Sequence, residues 1–297
     1  MKYWGKMTLI ALVCALALTA GSALAEDAVT FQGVTASKNA EYLDMGETVI
    51  QDLAAFERFL DQLPALRQVD MFETPVNRRQ IEELTGRFPG IEFGWTIHIA
   101  AQHYVRTDAT AFSTLHGECM GHSSQDFEVL KYCKNLRALD IGHNDVMDLK
   151  FLTNLPKLRV LILADNPIHD LKPLAELKEL EYLEIFSCDF MDITPLTELP
   201  HLLDLNISNN KSLYQYSVML NLSPTIKRLW VSELGVYISE ARVRELRGVM
   251  PDAIFSTDDH PTANGWRTGE HYETIYEIFH TGVYKPFSDS FPLEESE

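Results

Sequence analysis

Ten histidines and 43 acidic residues give this chain the means to hold a metal or move a proton, so their spacing comes first. His98, His103, His116, His122 and His143 lie close in sequence. A metal site needs ligands that converge on one point. No His-Glu-x-x-His and no Cys-x-x-Cys occurs to gather them. A calcium site would need several oxygens around one ion, whereas carboxylates repeated along strands would be spread in a line. There is no Gly-x-Ser-x-Gly elbow and no phosphate-binding loop. The expectation is therefore a chain that is not an enzyme, with no catalytic residue, no metal and no cofactor. The one alternative is an enzymatic pocket in the C-terminal region, around Asp258-Asp259-His260 and Gly265-Trp266-Arg267.

The elements that position these residues follow from an internal period. Leu136, Leu158, Leu180 and Leu202 each open a similar unit, twenty-two residues apart. Equivalent positions run Leu139, Leu161, Leu183, Leu205 and then Ile141, Leu163, Ile185, Ile207. A polar ladder follows at Asn144, Asn166, Cys188 and Asn210. The alternating apolar pair predicts a short strand with one face inward. The ladder amides are expected to satisfy backbone groups in the turn beyond it. Asp170-x-x-Pro173-Leu174 and Asp192-x-x-Pro195-Leu196 suit a short helical turn with an acidic start. Residues 114–135 fit one more such unit, with Cys119 at the Ile141 position. Further back the period lengthens to twenty-six: Tyr42 to Thr48 matches Gln68 to Thr74 almost residue for residue. Helices are predicted over Leu53 to Leu63, Arg78 to Phe88, Glu240 to Val249 and Glu270 to His280.

This reads as an α/β, leucine-rich repeat solenoid: curved, of about nine coils, with a parallel concave sheet and a C-terminal cap. The expected divisions are a signal peptide at 1–25, a lead-in at 26–40, longer-period repeats at 41–113, 22-residue-type repeats at 114–250, and the cap with an acidic tail at 251–297. The cap is expected to cover the open end of the stack. Lys2 and Lys6, the apolar run Met7 to Ala20 and Ala23-Leu24-Ala25 form a leader expected to be cleaved after Ala25. That implies a secreted or extracytoplasmic protein, with no membrane span after cleavage. Cys14 leaves with the leader. Cys119, Cys133 and Cys188 fall in separate columns, so buried thiols are expected rather than a disulfide.

Binding residues must then come from outward positions. Between the inward strand residues lie Asp44, Asp70, Glu118, Asp140, Ile162, Glu184, Asn206 and Trp230. Beside them lie His116, Ala138, Val160, Tyr182, Asp204 and Arg228, then Met120, Gly142, Ala164, Phe186 and Ser208. A ligand groove is predicted with Tyr182, Phe186 and Trp230 as aromatic anchors and Asp140, Glu184 and Arg228 as charged neighbours. The net charge of −18 argues against nucleic acid and favours a cationic or neutral partner.

The 22-residue units and Asp192 to Leu196 resemble bacterial leucine-rich repeat proteins of the internalin-like type. Arg106-Thr107-Asp108-Ala109, Leu139 to Asn144, Leu161 to Asn166 and Gly265-Trp266-Arg267 also resemble a group of secreted leucine-rich repeat proteins of anaerobic gut bacteria. The resemblance implies recognition of a protein, or alternatively of a glycan or cell-wall fragment. A structural module that self-associates is the third possibility.

Overall fold

The computed structural model describes residues 27–100, 102–115, 121–257, 260–262 and 265–292. The expected leader, His116, Glu118, Cys119, Met120, Asp258, Asp259 and the acidic tail lie outside the described residues. Two compact units divide between Phe93 and Gly94.

In the first unit, β1 (Ala28–Phe31) and β2 (Val34–Ser37) form an antiparallel hairpin. The strands β3 (Tyr42–Asp44) and β4 (Gln68–Met71) pair in parallel, Tyr42 against Gln68 and Asp44 against Asp70, at the twenty-six-residue offset of their matching sequences. Helix α1 (Leu53–Leu60) starts where Asp52 accepts the Ala55 N–H, and it buries Phe56, Phe59 and Leu60. Phe31 packs on Phe56 and Phe59, with ring centroids 5.2 and 5.6 Å away. Helix α2 (Arg78–Arg87) opens on a capping box between Asn77 and Gln80.

The second unit takes up the chain within β5 (Glu92–Ile99), which pairs antiparallel with β6 (His103–Arg106). A parallel sheet follows in strict chain order: β7 (Ala111–Ser113), β8 (Ala138–Asp140), β9 (Val160–Ile162), β10 (Tyr182–Glu184), β11 (Asp204–Asn206), β12 (Arg228–Trp230) and β13 (Ile254–Ser256). Leu139, Leu161, Leu183, Leu205 and Leu229 share one register and are fully buried. The opposite side of each strand bears residues such as Ala138, Val160 and Tyr182, and is called the outer face below. The chain returns along short 3₁₀ helices at Lys150–Asn154, Lys172–Glu176 and Thr194–Glu198. Their acidic starts are visible: Asp170 accepts the Lys172 N–H at 3.0 Å, and Asp192 accepts the Thr194 N–H at 2.8 Å. Hydrogen bonds from Thr194 hold the Asp192 carboxyl below the usual carboxylate range. The helices α3 (Tyr216–Met219) and α4 (Glu240–Val249) serve the last coils. Among the described residues no helix is long and apolar enough to cross a membrane.

The turn after each strand is built the same way. His143, Asp165, Ser187 and Asn209 adopt left-handed backbone at φ 58, 57, 55 and 54°, uncommon for residues with a Cβ. The next residue is the ladder residue. Asn166 accepts the Val146 N–H at 2.9 Å and donates to the Ile141 and Leu163 carbonyls at 3.0 and 2.9 Å. Asn210 accepts the Cys188 N–H at 2.9 Å and donates to Ile185 and Ile207 at 3.0 and 2.8 Å. Asn144 accepts the N–H groups of Gly121 and His122. Cys188 substitutes a thiol aimed at the Leu163 and Phe186 carbonyls. Cys133 and Cys188 are free and buried, and burial pushes both thiols up to about 12.

Two expectations need correction. The strand beside β8 is not at 116–118: Ser113 pairs with Asp140, twenty-seven residues away, so the upstream coil is longer than its successors. The C-terminal segment does not close the end of the stack either. β13 continues the sheet, and the chain then crosses the outer face. Trp266, Ile275 and Ile278 of α5 (Glu270–Thr281), and Phe287 share one core cluster with Ala111, Ala138, Val160, Tyr182 and Trp230. The cause is the apolar character of those outward columns, which gain more from burial than from water.

Because the buried Asn166 amide serves four backbone groups on two coils, Asn166→Ala should destabilise the fold by about 1–3 kcal/mol. A urea or thermal melt that matches the parent would show that the turn does not need it.

Candidate functional site

Trp266 fixes the crossing segment to the sheet. Its ring lies 5.3 Å from Tyr182 and 5.2 Å from Trp230, centroid to centroid. Its indole N–H donates to Glu184 Oε2 at 2.7 Å, beside the Tyr182 hydroxyl at 2.8 Å. Arg228 donates to the Trp266 carbonyl at 3.0 Å and to Asp204 at 2.6 Å. Its guanidinium carbon lies 4.7 Å from the centre of the Trp266 ring. His271 of α5 sits between two carboxylates, 2.8 Å from Asp204 and 2.8 Å from Asp289. Burial alone would lower the His271 pKa, but the bonds and charges of Asp204 and Asp289 outweigh it and raise the value. Further along, Arg159 donates to the Phe291 carbonyl at 3.0 Å and stacks on its ring, while Glu181 accepts the Phe291 N–H.

These contacts account for Tyr182, Trp230, Glu184 and Arg228 among the residues predicted to bind ligand. Tyr182 and Trp230 are buried, in contact with Trp266 rather than open to solvent. Phe186 and Glu184 are buried as well, and Arg228 is half-buried against Trp266 and Asp204. The aromatic trio is thus not displayed as a groove. Of the C-terminal clusters singled out in the sequence, Trp266 is a core residue, Gly265 holds positive φ at 87°, and His260 is exposed and bonded to Thr262. His98 is exposed on β5, and His103 meets His122 edge to face at 5.0 Å. Among the described residues no three His, Cys, Asp or Glu side chains are grouped as metal ligands.

An opening lies where α5 stands off β8 to β10. A cleft of about 230 Å³ has a floor of Asp140, Ile162 and Glu184, one from each strand. Its upper edge is Gly142 and Ala164, small residues where the next coil carries Phe186. The opposing wall is the face of α5 bearing Tyr272, Tyr276 and Phe279, with Arg267 and His280 at the margins. Two predicted residues, Asp140 and Glu184, therefore come together here, while Tyr182, Phe186, Trp230 and Arg228 do not line the cleft. Ser113, Tyr272, Tyr276 and Phe279 are additions that column counting does not find. The helical spacing of the three aromatics was the available signal, but it marks a packed face as readily as a pocket wall.

Asp140 is buried, accepting the Gly142 N–H and the Ser113 hydroxyl, each at 3.2 Å. Burial raises its pKa to about 7, helped by the charge of Glu184 and opposed by those two bonds.

A family profile for Leucine Rich repeats (2 copies) matches residues 134–176. No curated protein matches the sequence. Among solved structures, internalin C2 of Listeria monocytogenes is 18% identical, with a TM-score of 0.40 over 75% of this chain and 85% of that one. An internalin F from the same species is 18% identical at a TM-score of 0.37, covering 76% and 72%. A leucine-rich repeat protein of Leptospira interrogans is 15% identical at 0.35, covering 67% and 56%. The units over residues 134–176 thus match the leucine-rich repeat, and the parallel sheet in chain order places them on an α/β solenoid scaffold.

Two outcomes follow from this geometry. Trp266→Ala removes a fully buried indole and one donor to Glu184, so a loss of about 3–5 kcal/mol is expected by chemical denaturation. Asp140 has a higher pKa folded than unfolded, so the stability linked to its proton is full below about pH 4 and disappears as the pH rises through 7. Melting curves of Asp140→Asn should lack that decline, and the variant's advantage should grow across this window. Parallel pH profiles for the two proteins would contradict the assignment.

Proposed function

We propose that this is a secreted, non-enzymatic leucine-rich repeat protein that binds a protein partner non-covalently, through the cleft under α5 rather than an open concave face. The observation that supports it is the cleft's lining. An aromatic helix face opposes a strand floor bearing two carboxylates, the mix of apolar wall and few polar groups that recognition pockets use. The size suits one inserted side chain of a partner. The charged, then apolar opening of the chain and its Ala23-Leu24-Ala25 supports the exported setting. A glycan is the alternative occupant, since tyrosine rings and carboxylates also suit a sugar.

The test is selection of displayed peptides on the full chain and on Ile162→Trp, with a glycan array in parallel. Trp230 occupies the same column three coils on, so the sheet accommodates an indole there. Peptides bound by the parent and at least tenfold weaker on the variant, at unchanged melting, support the reading. Peptides held equally by both place the site elsewhere, and binding confined to the array assigns a glycan.

A further inference from the structure

Four acidic side chains are buried in the second unit: Asp140, Glu181, Glu184 and Asp204. Three have a cation beside them. Glu181 lies 3.4 Å from Arg159, Glu184 lies 3.5 Å from Arg267, and Asp204 lies 2.6 Å from Arg228 and 2.8 Å from His271. Asp140 is the exception. Among the described residues its carboxyl makes no ion pair, and its partners are one N–H and one hydroxyl. It and Glu184 are the two of the four that line the cleft. A carboxylate taken out of water without a counter-charge is costly, and the neighbouring coil avoids the cost with Ile162 in the same column.

We propose that the missing counter-charge is supplied from outside: the cleft takes an alkylammonium group, as at the end of a lysine side chain, with Asp140 as its ion-pair partner. This rests on the cleft being the binding site. The ammonium would sit between Asp140 and Glu184, where it relieves their mutual repulsion. Tyr272 and Tyr276 line the cleft beside the apolar Ile162, and these side chains would flank the stem. The volume equals about seven or eight liquid waters, enough for a stem of about four carbons and its charged head. The groups around Asp140 are Ser113 on β7, His143 after β8, Glu184 on β10, and Arg267 and His280 flanking the wall. Arg267 is engaged by Glu184, and His143 is paired with Asp165 and exerts only the weakest of the influences on Asp140. The chain's acidic balance favours the approach of a cation.

The experiment titrates the full chain with n-butylammonium chloride, N-acetyl-lysine amide, 1-butanol and glucose, read by protein NMR shifts and calorimetry. Asp140→Asn and Ile162→Trp are run alongside. The expected result is saturable binding of both ammonium probes, at least tenfold weaker on Asp140→Asn and lost on Ile162→Trp, with 1-butanol and glucose inert. Equal binding of 1-butanol and butylammonium, unchanged by Asp140→Asn but lost on Ile162→Trp, overturns the ion pair and leaves the cleft as a binding site. Glucose binding there instead overturns it in favour of a sugar. Ammonium binding that survives both substitutions overturns the proposal by placing the cation elsewhere. No binding of any probe, with peptides selected equally by parent and Ile162→Trp, removes this proposal and the cleft reading together. If Asp140→Asn fails to melt cooperatively, the Ile162→Trp comparison decides.

Discussion

The seating of Trp266 between Tyr182 and Trp230 is the contact on which the second unit's outer face depends. Three demands meet there. The indole covers two aromatic rings that the strands turn outward. Its N–H donates to the buried Glu184. Its carbonyl takes one arm of Arg228, whose other arm neutralises Asp204. Without the indole, Glu184 would be a buried carboxylate short of a donor, which works against the fold. Because α5 begins four residues later, this seating helps set the position of its aromatic face, together with Ile275, Ile278 and His271 of the helix itself.

The scaffold beneath is held by a different economy. Each strand is only three residues long and must be followed by a sharp turn. The turn is made by a left-handed residue, and the polar groups it strands are collected by the side chain next to it. His143, Asp165 and Asn209 belong to the types that tolerate this backbone best, whereas Ser187 does so beside the thiol of Cys188. A cysteine can stand in the ladder because its thiol reaches the carbonyls of Leu163 and Phe186, as the Asn210 amide reaches the equivalent carbonyls of Ile185 and Ser208 one coil on.

Much of this was legible in the sequence. The parallel register of β8 to β12, the ladder, the pairing of β3 with β4 and the spans of α4 and α5 follow from spacing alone. What spacing does not convey is what lies on an outward residue. Tyr182 and Trp230 read as ligand anchors because an exposed aromatic and a covered one look the same in a column. The better clue was collective: Ala138, Val160, Ile162, Tyr182 and Trp230 make the outer columns apolar over several coils, and such a surface asks to be covered. The strand at Ala111–Ser113 was misplaced because a fixed twenty-two-residue step was carried into a coil of twenty-seven.

The cleft follows from these same choices. Covering the outer face for stability alone would favour an apolar residue at every floor position, as at Ile162. Glu184 departs from that but is answered within the chain by Trp266, Tyr182 and Arg267. Asp140 departs from it and finds only two uncharged donors. Gly142 and Ala164 then keep the space above it free, at the level where Phe186 fills the next coil. A buried acid left without its charge partner, beneath a gap bounded by aromatic rings, contributes little to folding. On the proposal that the cleft takes a cation, its physical sense lies in what enters the gap: the carboxyl of Asp140, rather than the aromatic residues beneath Trp266, faces the occupant.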